Sequence, residues 1–411
     1  MSNNKSKKKT MKSLLKYILM ASVVVAGAAS CEKDELGESI FDTTEYPLDR
    51  NSYSFPLDSF VKREFLIPYN LKFIYRMEDI GSDMDKNLVP APYEKSVQLA
   101  VLSKYLWYDV YKTLAGENEI FLKKYSPRII HVIGSKNYNP TQGTEILGVA
   151  EGGIKITLTN VNNLNVEKIE MMNEYFFETM HHEFSHILDQ TKLRPTAFNI
   201  ISTGQYDALG WSETPDSVAL GRGFVTPYAS SAVSEDWVEN IARYITTDSV
   251  TWEQKLATAN YDWELIDVES ESEYRSKLRG ADIDTVGYYK ANDNGSGGKI
   301  YRRVYKRNAS DFIILDENGK PQPEDVDGAN GREVILRKID FCRTYLAENF
   351  KLDLDAVRDM VQSRMYVKDS NGYWALDADG QQVNKLTSIT TTGEMLIDSL
   401  TNEVYSLMPV K

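Results

Sequence analysis

Three of the chain's four histidines lie in one short stretch, His181-His182-Glu183-Phe184-Ser185-His186. His182, Glu183 and His186 form an HExxH pattern. On an α-helix, residues i and i+4 share one face, with Cβ atoms about 6 Å apart. Two imidazoles placed in this way can bind one zinc ion, and the glutamate beside the first can take a proton from zinc-bound water. The pattern therefore predicts metal-assisted hydrolysis.

The residues around this pattern predict one amphipathic helix over 167–190. Apolar residues recur there at three- and four-residue spacing, namely Ile169, Met172, Phe176, Met180, Phe184 and Ile187. Polar ligands that interrupt such a helix are costly unless they are satisfied. His181 lacks a histidine partner four residues on, so we expect it to be partly exposed or to support a ligand from behind.

A catalytic zinc site usually takes three protein ligands, and the third is sought in residues 226–246. Ser234 is the expected N-cap of a helix there, with acidic residues in the first turn. Glu235 and Glu239 project from one side of it, and like charges four residues apart repel each other. One carboxylate binding zinc while the other holds a ligand histidine would explain the pair.

The order of these residues resembles the gluzincin pattern and is similar to the catalytic domain of anthrax toxin lethal factor. HEFSH is followed by Tyr228, by Glu235 seven residues later and by Glu239 four beyond. The wider chain resembles the zinc-binding metallopeptidase lipoproteins of gut bacteria. This resemblance implies that His182, His186 and Glu235 bind zinc, with Glu239 behind them or as the ligand itself. It also implies Glu183 as general base and then acid, and Tyr228 as the residue that stabilises the oxyanion.

Two further residues keep alternative interpretations. Asp189, three residues after His186 on the same helix, would orient a ligand imidazole or would simply face solvent. Tyr228 is one of 25 tyrosines, many of which must be ordinary packing or surface residues. Its catalytic role comes from the resemblance alone.

Residues 152–159 alternate apolar and polar side chains, which predicts a half-buried strand before the metal-binding helix. In the zincin fold that the chain resembles, an edge strand pairs with an extended substrate. We therefore consider residues 153–159 as a substrate-binding edge, with an ordinary sheet strand as the alternative.

The N-terminus predicts export. Six lysines and no acids precede an uncharged apolar run, Tyr17 to Ala29, that is too short to span a bilayer as a stable helix. The sequence Ala28-Ala29-Ser30-Cys31 resembles a bacterial lipobox, in which Cys31 would be lipidated. The segment 32–35, in which three of four residues are acidic, resembles a signal for the outer face of the outer membrane. An ordinary secretory signal with an incidental cysteine is the alternative.

Charge and cysteine count narrow the remaining function classes. The formal charge of −13 becomes −19 when the six lysines of the signal are removed. Such a surface repels phosphate backbones, so a nucleic-acid partner is not expected. Membrane contact is expected through the lipid anchor alone. If Cys31 carries lipid, Cys342 is left as a lone, buried thiol in a helix over 332–350.

The organisation of the 411 residues follows from these patterns. We expect a signal peptide (1–30), a tether (31–62), a zincin-like catalytic domain (63–278) and a C-terminal helical region with β-hairpin insertions (279–411). The fold class is α+β, with a mixed sheet, the HExxH helix and a second ligand-bearing helix. A strand-like start at Phe65, helix over 93–113, a strand at 128–134 with His131 as an ordinary strand residue, and further helix over 250–278 are expected. Asp/Asn/Gly clusters predict hairpin turns, because none keeps the ligand spacing of a calcium loop.

The sequence thus predicts a surface-anchored zinc peptidase that hydrolyses proteins or glycoproteins by Glu183-assisted attack of zinc-bound water. The alternative is a surface lipoprotein that binds glycan or peptide without turnover, its metal site being structural or degenerate. Acidic charge, anchoring and aromatic hairpins fit both. Chelator-sensitive cleavage would separate the first from the second.

Overall fold

A computed structural model describes residues 48–77, 88–116, 120–138, 145–146, 148–151, 154–268, 288–291, 298–310 and 312–408. The expected signal peptide, Cys31 and most of the expected tether lie outside these residues and stay predictions. Residues 50–411 form one compact α+β unit. In the described ranges, no helix has the length and apolar character needed to cross a membrane.

The α-helices alternate with short strands in the first half of the chain and dominate its end. They are α1 (Phe55–Val61), α2 (Ile67–Tyr69), α3 (Tyr93–Ser103), α4 (Asp109–Leu114), α5 (Ile120–Tyr125), α6 (Ile169–Met172), α7 (Glu178–Thr191), α8 (Thr196–Asn199), α9 (Asp216–Gly221), α10 (Val233–Thr246), α11 (Ser249–Thr258), α12 (Gly331–Phe350), α13 (Leu354–Met365) and α14 (Leu396–Tyr405). π-Helical turns over Lys62–Leu66, Lys104–Tyr108 and Asn173–Phe177 join α1 to α2, α3 to α4 and α6 to α7.

In the part of the chain that the structure describes, nine strands form three small sheets. They are β1 (Lys72–Ile74), β2 (Ile129–Val132), β3 (Asn137–Tyr138), β4 (Glu145–Ile146), β5 (Gly148–Glu151), β6 (Lys155–Leu158), β7 (Trp263–Val268), β8 (Tyr288–Ala291) and β9 (Gly298–Arg303). The largest sheet has the order β1-β2-β6-β5, with β1, β2 and β6 parallel and β5 antiparallel to β6. Ile130, Val132, Ile156 and Leu158 are buried in it. This sheet supports the long helix that follows.

That helix runs without a break from Ile169 to Thr191, as α6, the π-helical turn and α7, and confirms the prediction of one amphipathic helix over 167–190. Its apolar face is buried, with Phe176, Met180 and Phe184 at most 1% exposed. Burial of this face fixes the rotation of the helix, and therefore the direction in which its polar residues point.

Of the two interpretations of residues 153–159, the structure supports the ordinary sheet strand and not the substrate-binding edge. Strand β6 lies inside the sheet, between β2 and β5, so its backbone is paired on both sides and cannot accept a substrate strand. The strand at that edge is β5. Alternation of apolar and polar residues identifies a strand but does not reveal its neighbours, which is why the sequence could not place it.

Three element boundaries also differ from expectation. The expected tether ends at residue 62, whereas α1 already forms at Phe55 and buries Leu57 and Phe60 completely. Residues 65–69 are helical, and the expected strand is limited to β1. The helix expected over 250–278 ends at Thr258 and is followed by β7, with residues 269–278 outside the described ranges.

The C-terminal helices pack against the rest of the unit and do not stand apart from it. Both α12 and α13 lie directly against α10. Cys342 of α12 is completely buried, as expected for a core thiol. The expected boundary between residues 278 and 279 lies outside the described ranges.

The hairpin turns predicted at 316–319, 369–372 and 377–380 are confirmed in two β-meanders, one within residues 305–310 and 312–323 and one over residues 366–384. The cluster at 292–297 lies outside the described residues. The two meanders share one hydrogen-bonding plan: the Lys306 amide donates to Gln322 and the Val367 amide to Val383. In each turn an aspartate folds back on the backbone. Asp316 Oδ1 accepts from the amides of Asn318 and Lys320, and Asp377 Oδ1 from those of Asp379 and Gln381. These carboxylates stabilise turns.

Candidate metal centre

The structure brings His182 and His186 of α7 together with Glu235 of α10. Glu235 Oε2 lies 3.2 Å from His182 Nε2 and 3.4 Å from His186 Nε2. One donor atom from each of the three side chains lies within 4.8 Å of the others, the only such group of histidine, cysteine or acidic residues found in the described ranges. Two imidazole nitrogens and one carboxylate oxygen are the ligand set of catalytic zinc sites.

Local helix geometry produces this arrangement. The two imidazoles are one turn apart on the polar face of α7, with ring centroids 4.9 Å apart and planes at 75°. Glu235 lies in the first turn of α10, which packs along α7. This helix starts one residue before the expected N-cap: Ala232 occupies the cap in extended conformation, and Ser234 lies inside the first turn.

Glu239 holds His182 from behind. Its Oε1 lies 2.8 Å from His182 Nδ1, and its Oε2 accepts from Thr226 Oγ1 at 2.7 Å. Arg243 Nε lies 3.4 Å from the same Oε2. In a neutral His182 whose Nδ1 proton is donated to Glu239, the Nε2 lone pair would face His186 and Glu235, which is the tautomer that a metal ligand requires.

The charges inside this group favour a cation between the side chains. Burial lowers the pKa of His182, but hydrogen bonds to Glu235 and Glu239 outweigh burial and raise the pKa to about 10. Burial raises the pKa of Glu235, but His182 and His186 outweigh it and hold that pKa well below its usual range. Burial also raises the pKa of Glu239. The nearby Arg243 and His182 outweigh burial and lower this pKa to about 2. A metal ion would take the place of the His182 proton.

Glu183 is 7% exposed and follows His182 on α7. Its charge acts on both His182 and Tyr228. Glu183 therefore contributes negative charge to the surroundings of the centre, as a general base of a hydrolase would.

Tyr228 begins a 3-10 turn just before α10 and lies over the centre. Its ring stacks on that of His182 with centroids 6.0 Å apart, and Trp211 packs edge-on against it at 4.9 Å. It is 38% exposed. Burial and the negative charge of Glu235 raise the pKa of Tyr228, so the hydroxyl keeps its proton at neutral pH.

Asp189 takes neither of its expected positions. It is 6% exposed and pairs with Arg194, accepting from the Arg194 amide at 2.8 Å and from its guanidinium. The carboxylate therefore anchors the turn after α7. The turn brings Arg194, five residues further along the chain, back to Asp189. A separation of five residues does not place two side chains on one face of a helix, so the sequence pattern could not indicate this contact.

The remaining histidines lie apart from the centre. His181 is completely buried, where Tyr111 OH lies 2.9 Å from its Nδ1, so it is not the partly exposed residue considered above. Burial lowers the pKa of His181 to about 3 and keeps it neutral. His131 is in strand β2.

Sequence reasoning missed Thr226 and Arg243, which hold Glu239 in place. Arg243 lies four residues after Glu239 on α10, a spacing that signals an ion pair. Arg243 also pairs with Glu178 of α7 at 2.6 Å, which joins the two helices beside the centre. For Thr226, the contact depends on the fold and gives no local signal.

An α+β fold in which two imidazoles and a carboxylate meet on adjacent helices places the chain among the zinc-binding metallopeptidases. The chain belongs to the family described as "putative zinc-binding metallo-peptidase", whose model matches residues 51–355. Among solved structures it is similar to a protein of the same description from Bacteroides caccae, with 28% identity, a TM-score of 0.52, and coverage of 75% of this chain and 91% of that one. No curated protein matches the chain. The expected fold class, family and zinc cofactor are thereby confirmed.

Proposed function

We propose that the chain is a zinc endopeptidase of the gluzincin type that hydrolyses peptide bonds of protein or glycoprotein substrates. The observation that carries this proposal is the convergence of His182, His186 and Glu235 within 4.8 Å. The orientation of His182 by Glu239 supports it, because a structural polar pair would not need a fixed tautomer. Membership in a metallopeptidase family supports the reaction class.

The proposed roles follow from position. His182, His186 and Glu235 hold zinc, which supplies a Lewis acid and lowers the pKa of water. Glu183 accepts the proton of the attacking water and passes it to the leaving amine. Tyr228 keeps its proton at neutral pH and donates a hydrogen bond to the oxyanion that develops on the peptide carbonyl. Glu239 keeps the His182 ring in place.

Anchoring is part of the proposal and depends on the sequence. The six lysines, the short apolar run and the lipobox-like residues before Cys31 support export and lipidation at that cysteine. The acidic residues that follow support display at the surface of a bacterial outer membrane. Metabolic labelling with a clickable fatty acid should mark the wild-type chain and not Cys31→Ser, whereas equal labelling would contradict the anchor.

The direct test of the peptidase is cleavage of a proteome-derived peptide library by the zinc-loaded protein. We expect cleavage that a chelator abolishes and that added zinc restores. One zinc per chain with no cleavage of any library member would contradict the proposal and favour a binding protein. Sequencing of the cleaved ends would define specificity.

Glu239→Gln should weaken zinc binding by about 10–100-fold, because the ligand His182 loses the charged partner that fixes its tautomer. Competition against a chelating dye measures this affinity. Glu348→Gln, a substitution at an exposed glutamate of α12, is the matched control and should leave affinity unchanged. Equal affinities for the two variants would show that Glu239 does not support the ligand.

Tyr228→Phe should lower kcat by about 10²–10³-fold while zinc content and KM change little, because one oxyanion donor is removed. Steady-state kinetics on a cleaved library peptide measure both constants. Tyr373→Phe, which alters a tyrosine that is 74% exposed in a hairpin, is the control. A normal kcat for Tyr228→Phe would leave Tyr228 as a packing residue on His182.

A further inference from the structure

A cavity of about 570 Å³ lies beside the candidate metal centre. Thr226 and Tyr228, which contact Glu239 and His182 of the centre, also line this cavity. Trp211 packs beside Tyr228 in the wall of the cavity. The volume of the cavity is in the range of ligand-binding sites, roughly 300–1,000 Å³. Tyr228 therefore borders both the centre and the cavity.

Negative charge dominates the lining. Two cations line the cavity, Arg243 and Lys255, against five carboxylates, namely Glu170, Glu174, Glu178, Asp216 and Asp248. Three of these carboxylates are spaced four residues apart, at 170, 174 and 178. Like charges at this spacing destabilise a helix, so their row along the cavity has a cost in stability.

Some of these groups already have partners. Glu178 pairs with Arg243 at 2.6 Å, and Arg243 also contacts Glu239, so the charge of the arginine is matched. Asp248 caps α11 by accepting from two backbone amides. Glu170 and Glu174 are exposed and form no ion pair with any residue of the described ranges. These two carboxylates are therefore available to a ligand.

A buried amide gives independent evidence for a ligand. Asn173, 6% exposed, lines the same cavity as Glu170 and Glu174. Its Nδ2 donates to the Thr246 carbonyl at 3.0 Å, while its Oδ1 accepts no hydrogen bond from the described part of the chain. A buried acceptor without a donor is unfavourable, and a donor on a ligand would satisfy it.

We propose that this cavity binds cationic side chains, lysine or arginine, of the peptide substrate next to the bond that is cleaved. Glu170 and Glu174 supply the opposing charge, Asn173 Oδ1 accepts an N–H, and Trp211 packs against the aliphatic stem or the cation. This inference rests on the proposed peptidase function and specifies its substrate class.

The experiment compares library peptides that contain arginine with the same peptides carrying citrulline, which has nearly the same shape without the charge. For the zinc-loaded wild-type chain, we expect kcat/KM to favour arginine by roughly tenfold or more at the positions that enter the cavity. Raising the salt concentration should reduce this ratio. Equal kcat/KM for arginine and citrulline at every position would overturn the inference.

The double variant Glu170→Gln/Glu174→Gln conserves shape and removes both charges. Its arginine-to-citrulline ratio should fall toward one, mainly through a higher KM for the arginine peptide. Glu167→Gln, in which an exposed glutamate just before α6 and outside the cavity lining is changed, is the matched control and should keep the wild-type ratio. A wild-type ratio in the double variant would overturn the assignment of these carboxylates.

Failure of this inference can be distinguished from failure of the proposed function. Cleavage of the library without preference for arginine rejects the cavity and leaves the peptidase. For the opposite case, calorimetry measures binding of the same peptide pairs to zinc-loaded Glu183→Gln protein. Preferential binding of arginine peptides without cleavage by wild type supports the cavity and rejects the peptidase.

Discussion

Glu183→Gln is expected to lower kcat by about 10²–10⁴-fold while the protein still binds zinc. Glutamine has the shape of glutamate but cannot accept the proton of the attacking water at neutral pH. Residue 183 is outside the group whose donor atoms converge, so its replacement removes no ligand. Single-turnover cleavage of a library peptide measures the rate, and elemental analysis measures zinc.

Glu348→Gln again serves as the control, because it removes one negative charge on the exposed side of α12. It should leave rate and zinc content at the wild-type level. An unchanged rate for Glu183→Gln would reject its role as general base. Loss of zinc together with loss of rate would instead assign Glu183 to the integrity of the centre.

The part of the site that was predictable from sequence is the part that depends on helical spacing. His182 and His186 share a face because α7 is a helix, and burial of Met180 and Phe184 sets the direction of that face. Glu235 and Glu239 share a face because α10 is a helix, although α10 begins one residue before the expected N-cap, Ser234. The resemblance supplied what spacing lacks, namely that these two helices meet.

Contacts that depend on the path of the chain between elements were not predictable. Asp189 bonds to Arg194 because the chain turns sharply after α7. Strand β6 has a neighbour on both sides because β5 folds back on it. In both cases local periodicity correctly predicted the helix or the strand. The geometry of the following or preceding loop determines which group Asp189 or β6 contacts.

The buried pair of Lys338 and Asp236 is the strongest example of such a long-range contact. Lys338 of α12 and Asp236 of α10 are both completely buried, with Nζ 2.7 Å from Oδ2. Lys338 Nζ also donates to the Gly223 carbonyl at 2.8 Å, on the segment that leads to Thr226 and Tyr228. A lysine in a helix of mixed pattern is ordinarily expected to face solvent.

Burial raises the pKa of Asp236 and lowers that of Lys338, while each opposes this effect on the other. Tyr206 OH and Asn240 Nδ2 also donate to the Asp236 carboxylate, at 2.9 Å each. The buried charges of Lys338 and Asp236 are therefore tolerated only together. Removal of one leaves the other buried without a compensating charge. Because Asp236 follows Glu235, this set also fixes the beginning of the ligand helix.

Lys338→Met should consequently lower the free energy of unfolding by about 3–5 kcal/mol, since it leaves the Asp236 charge without its cation. Urea denaturation of the zinc-free protein measures the change as a lower midpoint with an unchanged slope. Adding Asp236→Asn to the variant should recover part of the loss, because the unpaired charge disappears while the Tyr206 hydroxyl keeps an acceptor.

The matched control is an exposed pair of the same composition. Lys368 and Asp359 lie 2.6 Å apart with 33% and 65% of their side chains exposed, so Lys368→Met should cost only about 0–1 kcal/mol. Similar losses for the two lysines would show that the buried pair contributes no more than a surface pair. A large loss confined to Lys338→Met would show that α12 is required for the stability of the helix that carries Glu235.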